Sequence, residues 1–248
     1  MKICVYGAAS SLIDESYINA GIELGKKMVE KDLGLVFGGG SHGMMGAVAE
    51  GVYEKKGYIL GVIPEFFKEA ESEESFNECT DYIYTETMRE RKRELEENSN
   101  AFIVTPGGIG TLDEFFEILT LKQLGRHNKP IAIFNINGFY DELDVMMTKS
   151  IKEKFITDDC KELYKVFTDV DEMLEYIYDA GLFHDIGKTR ISNIVKCDYR
   201  YLTNEEFNVI KEHPTLGAEL TYNSNYLRNY EAMIKGHHKF YNNLRWIS

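Results

Sequence analysis

The chain has 248 residues, and its 28 basic and 41 acidic side chains give a formal net charge of −13. This length allows one large domain or two small ones. The acidic balance argues against a nucleic-acid partner, which would require a basic face. It still permits a small anionic ligand, because local donors outweigh a distant net charge.

The sequence carries no sign of export or of membrane insertion. Cys4, Cys79, Cys160 and Cys197 form no CxxC pair, which indicates free thiols in a reducing compartment. The first residues, MKICVYGAAS, lack the apolar stretch and cleavage site of a signal peptide. No apolar run reaches the roughly 18 residues of a membrane span. We therefore expect a cytoplasmic protein that does not bind a membrane.

Up to about residue 180, short apolar runs alternate with longer amphipathic runs. The runs predicted as strands are, in chain order, KICVYG, LGLVFGGG, YILGVIP, AFIVTPGG and KPIAIFNING. The runs predicted as helices are SYINAGIELGKKMVEKD, MMGAVAEGVYEKKG, ETMRERKRELEENS, LDEFFEILTLKQLG and DEMLEYIYDAG. Strands that alternate with helices indicate βαβ units and a parallel sheet. We predict an α/β, Rossmann-like, doubly wound fold for residues 1–180.

The pattern changes in residues 181–248, where no strand-like run of comparable strength occurs. The segments TNEEFNVIKEHPTLGAEL and NYLRNYEAMIKGHHKF have helical spacing, and Thr203 with Glu206 fits a capping box. We therefore predict a second, small all-α domain that begins at residue 181.

Three turns that contain glycine, YGAASS, FGGGSHG and TPGGIGT, each follow a predicted strand. Ligands of parallel α/β folds gather at the carboxyl ends of the strands. One such turn has a steric explanation, since glycine permits positive φ and close helix–strand packing. Three turns at one sheet edge favour an anion site, because backbone N–H groups at a helix N-terminus bind phosphate.

The second turn also permits a different interpretation. Gly38, Gly40 and Gly43 follow a G-x-G-x-x-G pattern, and Glu65 lies near the spacing of a ribose-binding acid, as in dinucleotide folds. Against this, the pattern falls on the second strand–helix turn, and the third strand ends in a proline. No G-K-[ST] follows the glycines, which argues against a P-loop nucleotide hydrolase.

Two charged stretches have structural as well as functional explanations. Thr111 and Glu114 match a T-x-x-E capping box, and an acid in a first helical turn suits the helix dipole. The basic run MRERKREL, which contains Arg91, is also compatible with a solvated helix face.

The segments ETMRERKREL and NAFIVTPGGIGTLDEFFEILTLKQLG resemble the LOG ("Lonely Guy") family of phosphoribohydrolases, whose members have often been labelled lysine decarboxylases. The family motifs M-x-x-R-K and P-G-G-x-G-T-x-x-E are both complete, at residues 88–92 and 106–114. GGGSHGMMG is similar to a third family motif, with Met44 in place of a common leucine. The resemblance covers residues 1–180.

This resemblance implies a cofactor-free, homodimeric enzyme that cleaves the N-glycosidic bond of AMP or an N6-modified AMP to the free base and ribose 5-phosphate. Arg91 and Glu114 fall on the catalytic positions, and the arginine charge is expected to keep the carboxyl ionised. A carboxylate fits this chemistry, because glycosidic cleavage builds positive charge on the sugar. The expected substrate-binding residues are Ser10, Gly39, Gly40, Ser41, Met88, Lys92, Gly107, Gly108, Gly110 and Thr111.

Residues 181–248 resemble part of the HD-GYP branch of HD-domain phosphohydrolases, through HDIGKTRISNIVK, LTNEEFNVIKEHPTLGAEL and IKGHHKFYN. The resemblance implies a divalent metal and makes Lys188 a general acid. The implied metal ligands are His184, Asp185, His213, His237 and His238. The set is incomplete, because the preceding helix carries no histidine and no D-G-x-G-Y-P segment follows.

Hydrolysis of a small nucleotide is therefore the leading expectation, and two alternatives from other classes stay open. One is a nucleotide-binding regulator without turnover, and the other is a metal-dependent HD-type phosphohydrolase. Decarboxylation of lysine is disfavoured, because it would need pyridoxal phosphate or a similar electron sink and no lysine has a recognisable Schiff-base context.

Overall fold

The structure is a computed structural model that describes residues 1–67, 75–183 and 213–222. The described residues fall into two compact units. The first contains Met1–Leu119 and Lys129–Glu175, whereas the second contains Thr120–Asn128 and begins again at Tyr176. The domain boundary that the sequence suggests, between residues 180 and 181, stays a prediction.

A parallel sheet forms the centre of the first unit, and seven strands build it in the described residues. They are Lys2–Tyr6 (β1), Gly34–Phe37 (β2), Ile59–Pro64 (β3), Asp81–Thr85 (β4), Ala101–Val104 (β5), Ile131–Phe134 (β6) and Lys165–Phe167 (β7). Their order across the sheet is β4-β3-β2-β1-β5-β6-β7. The α/β, Rossmann-like prediction is confirmed.

Helices connect and follow these strands. They are Glu15–Glu30 (α1), Gly43–Glu54 (α2), Met88–Glu97 (α3), Ile109–Gln123 (α4), Asp141–Lys152 (α5), Val170–Phe183 (α6) and His213–Tyr222 (α7). The five strands and five helices predicted for residues 1–180 are all present, and β4, β7 and α5 were not predicted. Helix α7 overlaps the segment predicted to be helical, residues 203–220, and extends two residues beyond it, whereas Thr203 and Glu206 lie outside the described residues.

Burial explains why the sequence predicted the central strands correctly. Every residue of β2, β3, β5 and β6 is buried, so each strand appears as a continuous apolar run. The edge strands differ: β4 has one buried residue, Thr85, and β7 has three residues, none of them buried. Edge strands therefore carry a weaker hydrophobic signal.

The order of the strands locates the functional edge of the sheet. The chain runs outward from β1 to β4, returns to place β5 beside β1, and then runs outward again to β7. This reversal opens a crevice between the carboxyl ends of β1 and β5, where doubly wound folds bind their ligands. Within residues 1–67, 75–183 and 213–222, no helix has the length and apolar character to span a membrane.

Candidate active site

Three loops meet at the carboxyl ends of β1, β2 and β5, as the glycine turns predicted. The Ala8 N–H group donates to the carbonyl of Pro106 at 3.1 Å, which joins the first loop to the third. The Met45 N–H group donates to the carbonyl of Ala8 at 3.2 Å, which joins the start of α2 to the first loop. Backbone hydrogen bonds therefore hold the three turns in one arrangement.

These loops, together with the start of α3, enclose a cleft of about 340 Å³. All of its lining residues belong to the first unit. They are Gly7, Ala8, Ala9, Ser10, Gly38, Met45, Phe67, Met88, Arg91, Lys92, Gly108, Gly110, Thr111, Asp113 and Glu114.

Arg91 and Glu114 form an ion pair in the wall of this cleft. The Nη1 atom of Arg91 donates to Oε1 of Glu114 at 2.8 Å, and the two side chains are 8% and 11% exposed. Burial raises the pKa of the Glu114 carboxyl above its ordinary value, and the Arg91 charge opposes that rise without cancelling it. Arg91 acts in the expected direction, burial has the larger effect, and the expectation that Arg91 keeps Glu114 ionised stays a prediction.

The capping-box interpretation of Glu114 is wrong. Helix α4 begins at Ile109, so Thr111 is the third residue of the helix and not its cap. The Glu114 carboxylate accepts from Arg91. A capping box does occur at the start of α3, where Thr87 accepts from the Glu90 N–H group and the Glu90 carboxylate accepts from the Thr87 N–H group. The helix start that carries Arg91 is thus the one that this motif fixes.

The glycine turn before α4 offers open space beside helix-terminal donors. A Cβ atom built on Gly108 or on Gly110 would meet no other atom within 4 Å, and neither residue has a positive φ. The packing of the described residues therefore does not explain glycine at either position. The first N–H groups of a helix lack intrahelical partners, so an anion can approach the backbone here.

Gly107 and Thr111 have different roles from these two glycines. A Cβ atom on Gly107 would overlap the hydroxyl of Thr111, so packing alone requires glycine at position 107. Gly107 does not line the cleft, whereas Thr111 does. A direct contact between Gly107 and substrate stays a prediction.

The second glycine turn is engaged mainly with the rest of the protein. Gly39 has a φ of +83° and its carbonyl accepts from the Phe76 N–H group at 2.8 Å, while Gly40 forms an antiparallel bridge with Ser75. Gly39, Gly40 and Ser41 are not among the residues that line the cleft. Their predicted contacts with substrate stay predictions.

The alternative dinucleotide fingerprint has little support in this geometry. Gly43 has a φ of +64°, and a Cβ atom on it would overlap the carbonyl oxygen of Ala8, so its glycine is explained by packing. Glu65 begins a short 3-10 helix and does not line the cleft. The fingerprint therefore reflects loop packing in this chain.

Lys92 lines the cleft, but acidic side chains of α4 hold its amine. Lys92 Nζ lies 3.2 Å from the Asp113 carboxylate and also pairs with Glu117. The two acids that follow the TPGGIGT turn thus have separate partners, since Asp113 pairs with Lys92 and Glu114 pairs with Arg91. These ion pairs join α3 to α4.

Sequence reasoning missed several cleft residues. The missed residues are Gly7, Ala8, Ala9, Gly38, Met45, Phe67 and Asp113. The first turn gave a usable signal, because Gly7 ends a predicted strand and the two alanines directly follow it. No comparable signal marked Phe67, which reaches the cleft from the chain beyond β3. With Met45 and Met88 it gives the cleft an apolar side.

The predicted metal ligands lie almost wholly outside the described residues. His184, Asp185, His237 and His238 are not described, and for His213 only its place as the first residue of α7 is. Among the described side chains, no group of three histidines, cysteines, aspartates or glutamates is arranged to hold a metal ion. The metal site stays a prediction.

Comparisons with known proteins agree with the motifs. A family model described as "Possible lysine decarboxylase" matches residues 45–177, and a model described as "HD domain" matches residues 155–245. Among solved structures, the molybdenum cofactor carrier protein of Chlamydomonas reinhardtii is 23% identical, with a TM-score of 0.53 over 71% of this chain and 95% of that one. The molybdenum cofactor binding protein of Rippkaea orientalis is 17% identical, with a TM-score of 0.52 over 71% of this chain and 94% of that one. At such identities these two show the fold alone.

Curated relatives are more similar in sequence. Cytokinin riboside 5′-monophosphate phosphoribohydrolase LOG2 of Arabidopsis thaliana is 34% identical over 185 residues, which are 74% of this chain and 85% of the relative. The enzyme LOG of Oryza sativa subsp. japonica is 37% identical over 191 residues, covering 74% of this chain and 78% of the relative. With both signature motifs complete and their charged residues paired in one cleft, the chain belongs to the LOG phosphoribohydrolase family.

Proposed function

We propose that this protein hydrolyses the N-glycosidic bond of a nucleoside 5′-monophosphate, AMP or an N6-modified AMP, to the free base and ribose 5-phosphate. The observation that carries the proposal is the Arg91–Glu114 pair, which lies in the same cleft as the open glycine turn at the start of α4. Relatives named cytokinin riboside 5′-monophosphate phosphoribohydrolases support the reaction class.

The glycine turn accounts for the phosphate end of the substrate. Gly108 and Gly110 leave space for a ligand, and Thr111 also lines the cleft. The backbone N–H groups of the first turn of α4 and the helix dipole both favour a bound dianion. Ser10, on the loop after β1, adds a further hydroxyl to the cleft.

The Glu114 carboxylate accounts for the chemistry at the sugar. Departure of the base gives the ribose an oxocarbenium-like charge, which a fixed carboxylate near C1′ stabilises. The same carboxylate is suited to orient or deprotonate the attacking water. Because the side chain is 11% exposed, its charge acts with little screening by solvent.

Arg91 contributes position and charge. Its guanidinium holds one oxygen of Glu114 through Nη1, and its Nε atom is buried without a hydrogen-bond partner in the described part of the chain. A buried donor without a partner is destabilising, and a ribose or phosphate oxygen of the substrate would relieve that penalty. We assign Arg91 to positioning of Glu114 and of the substrate.

Base release from AMP is the direct test. Purified protein should convert AMP to adenine and ribose 5-phosphate, measured by chromatography, and Glu114→Gln should lower kcat by about a hundredfold or more. Glu142→Gln is the control, because Glu142 is exposed on α5 and does not line the cleft. Retained base release in Glu114→Gln would remove the carboxylate from the mechanism.

The HD-like segment supports a second candidate activity. A family model for the HD domain matches residues 155–245, which favours metal-dependent phosphohydrolysis as an addition to base release. We propose His184, Asp185, His213, His237 and His238 as the ligands of a divalent metal, as the motif indicates. Metal content after dialysis, compared with that of an Asp185→Asn variant, tests the assignment.

Other expectations from the resemblance also enter as proposals. Base release itself needs no cofactor, the substrate is a small nucleotide and not a nucleic acid, and the chain acts as a cytoplasmic homodimer without a membrane partner. Light scattering coupled to size-exclusion chromatography tests the dimer.

A nucleotide-binding regulator without turnover would bind AMP in calorimetry and release no adenine.

A further inference from the structure

Gly38, the first residue after β2, lies against the guanidinium of Arg91. A Cβ atom built on Gly38 would overlap Nη2 of Arg91, lie 3.1 Å from its Cζ atom and lie 3.4 Å from Sδ of Met45. The arginine head group therefore occupies the volume that any side chain at position 38 would need. Gly38 itself lines the cleft.

Few polar contacts fix that head group. In the described residues, one hydrogen bond of 2.8 Å joins Nη1 to Glu114, and the Nε atom has no partner. The Arg91 side chain is nevertheless 8% exposed, so packing confines it. Packing against the Gly38 backbone thus complements a single ion pair in setting where the guanidinium lies.

We infer that Gly38 is a positioning residue, whose missing side chain gives Arg91 the place from which it holds Glu114. The part of this inference that concerns turnover rests on the proposed function. The first glycine of the GGGSHG turn then serves to place the side chain of Arg91.

The backbone at position 38 does not itself require glycine. Gly38 has no positive φ, so alanine there adds no backbone strain. The three atoms nearest to an added Cβ all belong to the side chains of Arg91 and Met45. The effect of Gly38→Ala should therefore pass mainly through displacement of the Arg91 guanidinium.

The ionisation of Glu114 in the resting enzyme tests the inference without any turnover. The charged side chains that act on Glu114 are Arg91, Asp113 and Lys92, and Arg91 has the largest of the three effects. Carbon-13 NMR of labelled glutamate, assigned with Glu114→Gln, should show a higher Glu114 pKa in Gly38→Ala than in the wild type. In an Arg91→Met background the same substitution should change nothing. An unchanged Glu114 pKa in Gly38→Ala overturns the inference.

Turnover supplies a second test. Gly38→Ala should lower kcat by up to about a hundredfold, as misplacement by about 1 Å does, with a smaller change in KM. Arg91→Lys should be harmful in the wild type and add little in Gly38→Ala, so additive losses contradict the inference. If the wild type releases no base, the proposed function fails while the NMR comparison still decides the role of Gly38.

Controls separate positioning from a general loss of fold. Gly34→Ala lies at the start of the same strand, where the three atoms nearest to an added Cβ belong to Tyr58, and it should keep wild-type activity. The fall in thermal midpoint caused by Gly38→Ala should be smaller in an Arg91→Met background than in the wild type, because the obstructing guanidinium is absent there. An equal fall in both backgrounds counts against the inference.

Discussion

At the scale of single residues, the site depends on the carboxyl group of Glu114, whose pKa is subject to opposing effects. Burial disfavours the charged form of Glu114, and the adjacent Arg91 favours it. Removing the arginine leaves only the smaller effect of Lys92 to oppose burial, so Arg91 and Glu114 cannot be replaced independently. The ionisation of Glu114 should therefore be visible in the pH dependence of the reaction.

The first prediction concerns the acid limb of the pH profile. Glu114 must be ionised to stabilise a ribose cation, so kcat/KM should fall as the pH drops through its pKa, which lies above the ordinary 4.5. Arg91→Met removes a charge that lowers this pKa and should move the acid limb to higher pH. Ionisation of the AMP phosphate is common to both enzymes, so the difference between their kcat/KM profiles isolates Glu114. Identical acid limbs would contradict the assignment.

The second prediction concerns Gly108 and Gly110. An added methyl group at either position meets no other atom within 4 Å, so Gly108→Ala and Gly110→Ala should keep the thermal midpoint of the wild type. Each should lower kcat/KM by about ten- to a hundredfold, because the methyl group would displace a phosphate from a backbone donor worth about 1.5–3 kcal/mol.

Gly107→Ala provides the contrast to those two variants. Its methyl group would overlap the Thr111 hydroxyl, so the thermal midpoint itself should fall. Full activity in Gly108→Ala and Gly110→Ala would show that no ligand approaches this turn.

The sequence predicted part of the site because its motifs lie in continuous stretches. Arg91, Glu114, Gly108 and Thr111 belong to two such motifs, and the structure brings all four into one cleft. The motifs did not reveal that Gly38 accommodates Arg91, because 53 positions separate these two residues in the sequence. Contacts between segments that are distant in sequence can be predicted only when the order of the strands in the sheet is known.

At the scale of elements, hydrophobic patterns identified the buried strands and missed the exposed ones. Strand β7 has three residues and α5 has one buried residue, Met147, so neither carries a strong pattern. The predicted capping box was placed at the wrong helix because the local sequence is ambiguous. Both Thr87–Glu90 and Thr111–Glu114 have the T-x-x-E spacing, and the local sequence does not show which threonine precedes its helix.

The third prediction tests the cap that the structure does show. Thr87→Ala removes the acceptor for the Glu90 N–H group, which should lower the free energy of unfolding by about 1 kcal/mol in urea denaturation. Thr87→Ser keeps the hydroxyl and should stay near the wild type. Equal losses in both variants would mean that the hydroxyl does not cap α3.

At the scale of the whole molecule, the proposed function requires an acidic chain to bind an anion through local geometry. The net charge is −13, yet the cleft combines a helix N-terminus, Arg91 and Lys92. All residues that line this cleft belong to the first unit, whereas His184 and the other predicted metal ligands follow in the chain after it. The proposed base release and the proposed metal binding would therefore use separate sets of side chains.

The fourth prediction follows from that separation. Base release from AMP should be the same before and after treatment with EDTA, because neither Arg91 nor Glu114 needs a metal to act on the sugar. Any phosphohydrolase activity of the HD-like segment should disappear with EDTA and return with added manganese, since its implied ligands bind divalent cations. Asp185→Asn should lower the metal content measured by mass spectrometry and leave adenine release unchanged. Loss of adenine release in EDTA, reversed by manganese, would require a metal in the nucleotide reaction and would contradict a mechanism carried by Glu114 and Arg91 alone.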